Sequence, residues 1–145
     1  MYLVDTNVIS EVRRQERCHP NVRHWFLTVD TRTIYLSVLV LGEIRAGAQR
    51  VRERDPARAA ELDGWLKQVT DRHKRRILDV DYEVARLWGW MKGKFNVPVV
   101  DGLLAATAQV HGLILVTRNV RDVEQTGVSY LDPFASHRTG KRKQS

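Results

Sequence analysis

Four carboxylates in this chain fall where a β-type run has just ended or a helical run is beginning. Asp5 follows the apolar Tyr2–Val4, and Glu43 lies in the second turn of the helical run after Thr33–Leu36. Asp101 opens an alanine-rich apolar stretch, and Asp122 follows Leu113–Val116 by a few residues. Carboxylates about 4 Å apart repel by roughly 4 kcal/mol per pair at a protein-like effective dielectric, so a cluster of them needs protonation or a cation. Hard oxygen donors in that number suit Mg²⁺ or Mn²⁺ rather than zinc. Such a site supports metal-assisted hydrolysis of a phosphodiester. Thr117 and Asn119, between the fourth apolar run and Asp122, would hold the carboxylates or the attacking water by hydrogen bonds. Each acid also has a plainer reading. Asp101 and Asp122 suit helix starts, where the N-terminal dipole favours an acid. Glu43 could be a solvated surface acid, although its apolar neighbours Leu41 and Ile44 place it near the inward face. Asp5 is the hardest to dismiss, because an acid ending a buried strand is costly unless it is paired or binds metal.

The elements that must position these residues alternate between short β-type and longer helical runs, the pattern of an α/β fold with a parallel sheet. Strands are expected at residues 1–4, 33–36, 76–80, 113–116 and 128–131. Helices are expected from Thr6 to about Arg14, after Pro20, after Ser37 as N-cap, from Pro56, after Asp81 as N-cap, and from Val99. Their inward residues are Val22, Trp25 and Phe26; then Leu41, Ile44, Ala48 and Val51; then Leu62, Leu66 and Val69; then Val84, Leu87, Trp88, Met91 and Phe95. Trp90 lies off the last stripe, so either a neighbouring loop or a subunit contact should cover it. In a parallel sheet Asp5, Glu43 and Asp122 reach the carboxyl edge directly. The helix of Asp101 feeds the fourth strand, so its N-terminus sits at that edge too, where open α/β sheets bind their ligands.

With 145 residues and 43% hydrophobic content, a single domain with one core is expected. Cys18 is the only cysteine. That excludes an intrachain disulfide and a structural zinc site, and favours a reducing, cytoplasmic setting. No basic region precedes the N-terminal apolar residues, and no uncharged run approaches the ~20 residues of a membrane span, so no membrane association is expected. The formal net charge of +7 favours polyanions, nucleic acid above all. Between Arg45 and Arg76 ten Lys or Arg face five acids; this reads as a solvated face, with a grip on RNA phosphates as the alternative. Residues 135–145 read as a basic disordered tail, leaving 1–134 as the folded domain.

Five stretches in order, LVDTNVISE from residue 3, SVLVLGEIRAG from 37, DGLLAATA from 101, LVTRNVRD from 115 and LDPF from 131, resemble the motifs of a PIN domain. They are most similar to the VapC toxins of bacterial toxin–antitoxin pairs, in the FitB-like branch. The resemblance implies a three-layer α/β/α fold with a five-stranded parallel sheet. It also implies a homodimer with Mg²⁺- or Mn²⁺-dependent endoribonuclease activity. It puts Asp5, Glu43, Asp101 and Asp122 on the family's acidic, metal-holding positions, and Thr117 and Asn119 on its polar supporting positions. Thr6 and Asn7 fall in the opening motif, with a supporting role behind the metal ligands. A VapB-like antitoxin is implied as partner, able to place a basic side chain in the acidic pocket and to carry the complex to operator DNA. Two rivals stand beside this reading. One is a catalytically idle PIN-like module that binds nucleic acid or a protein. The other is an aspartate-nucleophile phosphatase, disfavoured because such enzymes place a second Asp where Asn7 stands.

Overall fold

Tyr2–Val4 forms β1, and the chain turns directly into α1 (Thr6–Val12), α2 (Pro20–Thr28) and β2 (Ile34–Ser37). Then come α3 (Val38–Val51), α4 (Pro56–Arg72), β3 (Ile77–Leu78), α5 (Tyr82–Lys94), α6 (Val99–Val110), β4 (Ile114–Val116), α7 (Val120–Val123) and β5 (Tyr130–Leu131). The computed structural model describes residues 1–135; the tail from residue 136 onward lies outside the described residues. All strand pairs are parallel, in the order β3-β2-β1-β4-β5. The chain therefore steps from β1 outward through β2 to β3, then crosses back to β4 on the other side of β1. With right-handed crossovers that reversal places α1–α4 on one face of the sheet and α5–α7 on the other. The packing of α3 on α4 and α1, and of α6 on α5 and α7, follows this division. The reversal point lies between β1 and β4.

Local chemistry sets most boundaries. Ser37 ends β2 and caps α3, its hydroxyl accepting from the Leu39 N–H at 3.1 Å. Asp55 and Asp81 cap α4 and α5 in the same way, through the Arg58 and Val84 amides. Gly112 takes the left-handed conformation (φ 64°) that lets the Leu113 N–H close the end of α6 onto the Ala108 carbonyl. The core lies on both sheet faces around fully buried Leu3, Val4, Leu36, Leu115 and Val116. From α6, Leu104, Ala105, Ala106 and Ala108 pack against it with no exposure, as the apolar character of that helix on nearly all sides predicts.

Some boundaries differ from the sequence reading. Helix α1 ends at Val12 and passes into a short 3₁₀ turn at Gln15–Arg17. Strands β3 and β5 hold two residues each instead of five and four, because each is an edge strand with one neighbour to pair with. On α3 the buried stripe is Val40, Ile44 and Ala48, with Leu41 and Val51 only half-buried. Trp90 is 55% exposed, and its ring contacts among the described residues are with Lys94 and Phe95 of its own segment. No helix among the described residues is long and apolar enough to cross a membrane.

Candidate active site

Asp5 occupies the carboxyl end of β1, beside the point where the strand order reverses. Its N–H donates to the Val116 carbonyl at 2.9 Å, extending the β1–β4 pairing by one residue. Its own carbonyl accepts from Val8 and Ile9, and its side chain accepts from the Thr6 N–H at 2.6 Å, which starts α1. One residue thus ends a strand and caps a helix, and its carboxyl group is held between the two. Across the reversal point the Thr117 hydroxyl, at the end of β4, donates to Asp5 Oδ2 at 2.8 Å. The Thr117 oxygen accepts in turn from the Asn119 N–H at 3.0 Å. Asn7 reaches the same Oδ2 at 3.5 Å, and its side-chain oxygen accepts from the Arg118 N–H at 3.4 Å.

Two further carboxylates face the same space. Glu43, in the second turn of α3, accepts from the Thr6 hydroxyl at 3.0 Å. Asp101, in the first turn of α6, accepts from the Asn119 side-chain amide at 3.4 Å. Asp5, Glu43 and Asp101 line one cleft of about 350 Å³, together with Thr6, Asn7, Ser10, Val100 and Asn119. They stand on three different elements. Among the described residues, no three His, Cys, Asp or Glu side chains are gathered closely enough to form a ready-made metal cage.

The electrostatics reflect this crowding. Asp5 is 5% exposed. Burial, with smaller contributions from the Asp101 and Glu43 charges, pushes its carboxyl up to about 6 against the opposing hydrogen bonds from Thr117 and Thr6. The Asp101 carboxyl is also pushed up, by burial first and then by Asp122 and Glu43, while Asn119 pulls it down.

Six of the eight residues singled out in the sequence line this cleft, and Thr117 adjoins it through its bond to Asp5. Asp122 differs in kind: it is near enough to raise the proton affinity of Asp101 but does not line the cleft. Glu43 also corrects an expectation. It is exposed at the mouth of the cleft rather than turned inward, because the buried stripe of α3 runs through Val40 and Ile44 on either side of it. Ser10 was missed. Its signal is helical spacing: it lies four residues after Thr6 and three after Asn7, so α1 carries all three to the same wall.

The PIN domain family model matches residues 2–127. The chain belongs to the PIN domain family. Among curated relatives, this PIN domain is 31% identical to Toxin FitB of Neisseria gonorrhoeae, over 92% of this chain and 99% of that protein. It is 30% identical to VapC ribonuclease Y4jK of Sinorhizobium fredii, over 92% of this chain and 98% of that protein. Among solved structures, FitAB bound to an IR36 DNA fragment has a chain that superimposes with a TM-score of 0.84 at 26% identity, covering 96% of this PIN domain and all of that chain. The five-stranded parallel α/β fold expected from the motifs is therefore the family's own.

Proposed function

We propose that this PIN domain is the toxin of a VapBC-type toxin–antitoxin pair, a Mg²⁺- or Mn²⁺-dependent endoribonuclease held in check by a cognate antitoxin. The observation that carries the reading is the convergence of Asp5, Glu43 and Asp101 on one cleft at the sheet reversal. The oxygen-only donor set fits a hard divalent cation and offers nothing to a soft one. Asp5, Glu43 and Asp101 would hold the ion, with Asp122 supporting Asp101. When bound, the ion supplies Lewis acidity toward phosphodiester oxygens. The rest is done by the chain itself. Thr117 and the Thr6 amide fix both oxygens of Asp5, so the carboxylate cannot rotate away from the cleft. The Thr6 hydroxyl fixes Glu43, so the amide and hydroxyl of one residue link the two acids, and Asn119 orients Asp101. These bonds favour the charged forms that burial opposes.

The relatives, a toxin and a VapC ribonuclease, support the activity, and the FitAB–DNA structure supports an antitoxin partner that brings operator DNA to the complex. A basic side chain from such a partner, placed among these carboxylates, would satisfy them as a cation does. The reading includes a homodimer in the cytoplasm and a folded domain over residues 1–134.

Isothermal titration of Mn²⁺ into wild type and Asp5→Asn, alongside cleavage of a structured RNA, tests the proposal. Wild type should bind the ion and degrade RNA, and both EDTA and Asp101→Ala should stop cleavage. Equal heats from wild type and Asp5→Asn would sink the metal site. Undiminished cleavage by Asp101→Ala would place the activity elsewhere, and wild type that binds metal but never cleaves RNA would favour the idle module.

A further inference from the structure

The wall of the acidic cleft formed by α1 continues past Ser10 into chemistry of opposite sign. Residues three, four and seven positions beyond Ser10 are Arg13, Arg14 and Arg17. Arg13 caps the end of α1, Arg14 follows it, and Arg17 closes the 3₁₀ turn after that. These three arginines, with Arg58 from the first turn of α4, line a second cleft of about 610 Å³ that also contains Asp55 and Glu61. Asp55 is already engaged as the N-cap of α4, through the Arg58 amide. Arg14 pairs with Glu11 at 3.2 Å, and Arg13 lies over the Trp65 ring at 5.8 Å. Arg13, Arg17 and Arg58 make no ion pair among the described residues.

The contrast with the arginines of the neighbouring arm is informative. Arg45 and Arg52 both bind Asp63, at 3.2 and 2.8 Å, and so brace α3 against α4. Those side chains are spent on structure, whereas Arg17 and Arg58 are exposed and open to a ligand. Unpaired guanidinium forks match phosphate oxygens, and Arg13, Arg14 and Arg17 follow directly on the helix that carries Thr6, Asn7 and Ser10 to the acidic cleft.

We infer that the arginine-lined cleft beside α1 is a track for the sugar–phosphate backbone of the RNA whose reacting phosphate lies in the acidic cleft. This assignment rests on the ribonuclease reading above. Arg17 and Arg58 supply backbone contacts, which set affinity and register and are indifferent to base sequence.

The test uses a fluorescent single-stranded RNA long enough to span both clefts, titrated in EDTA with wild type, Arg17→Ala/Arg58→Ala and Arg17→Lys/Arg58→Lys. Each phosphate contact on a single strand contributes about 0.7 to the slope of log K against log salt. The alanine pair should therefore lower that slope by about 1.4 and weaken binding roughly ten- to thirtyfold at about 0.1 M salt. The lysine pair keeps the charge and should restore most of the slope. With Mn²⁺ present, the alanine pair should raise KM on the long RNA, leave kcat unchanged, and leave cleavage of a dinucleotide unchanged. An unaltered slope and affinity overturns the track, as does an alanine pair that binds RNA normally but loses a protein partner. Wild type that binds RNA in EDTA yet cleaves none once Mn²⁺ is supplied removes the ribonuclease reading and leaves the track standing; wild type that binds no RNA removes both.

Discussion

Replacing Asp5 by Asn removes a charge that the fold makes expensive, and the consequence is a gain in stability that depends on pH in a defined direction. With the Asp5 carboxyl near 6 against the ordinary aspartate value of 3.8, ionising it in the folded protein at pH 7 costs about 3 kcal/mol. The folded state binds this proton more tightly than the unfolded chain, so stability falls as pH rises from about 4 to 6 and is level above that window. Asn keeps the acceptor for the Thr6 N–H but presents an amide to the Thr117 hydroxyl, which already accepts from Asn119. The Thr117 proton then loses its buried acceptor, a loss of about 1–2 kcal/mol. The net gain for Asp5→Asn at pH 7 in EDTA is about 1–2 kcal/mol, or roughly 2–8 °C in Tm for a chain of this size. At pH 4 the wild-type carboxyl is protonated and the order reverses, with the variant slightly less stable. Thermal melts at both pH values, with and without Mn²⁺, read all of this. Mn²⁺ should raise the wild-type Tm and leave the variant unmoved, which links the electrostatic cost to its purpose. An Asp5→Asn variant that melts below wild type at pH 7 in EDTA would refute the reasoning, because desolvation of the charge would then not be the dominant cost.

Thr117→Val keeps the shape of the site and deletes the hydroxyl bond to Asp5. Because that bond lowers the Asp5 pKa, its loss should move the acid limb of the RNA-cleavage profile to higher pH and reduce stability at pH 7 by about 1–3 kcal/mol. In Gly102→Ala the new methyl would meet the Trp88 ring at 3.1 Å and Val97 at 3.3 Å. Either the Trp88 and Val97 side chains give by a few tenths of an ångström, or the first turn of α6 shifts and carries Asp101 with it. We expect a loss of about 1–3 kcal/mol in a denaturant melt and weaker Mn²⁺ binding by titration; a variant with wild-type metal affinity would show that the side chains give and Asp101 stays in place.

Much of the site was legible because covalent order and sheet geometry leave little choice. Once residues 1–4 and 113–116 read as parallel strands, Asp5 and Thr117 must emerge at one edge. A helix feeding the second of those strands must begin there as well, which brings Asp101 with it. The caps at Ser37 and Asp81 were equally legible, since capping is a property of a few consecutive residues. What stayed hidden depended on which face of a helix meets its neighbours. Glu43 looked inward on the strength of Leu41 and Ile44, yet α3 rests on Val40, Ile44 and Ala48, and the small rotation leaves Glu43 at the mouth. The arginine excess between residues 45 and 76 could be counted but not assigned. Only the packing of α3 on α4 shows Arg45 and Arg52 committed to Asp63.

The sequence by itself determined the fold class, the family and most of the residues that line the cleft, because strand and helix periods, caps and ordered motifs are local in the chain. The tertiary structure alone decided the relations across it. It set Asp5 under Thr117, 112 residues away, placed Asp122 beside Asp101 and outside the cleft, and gathered Arg17 and Arg58 from separate helices into one basic groove. Burial, hydrogen bonding and charge at those points act through space, and no spacing along the chain encodes them directly.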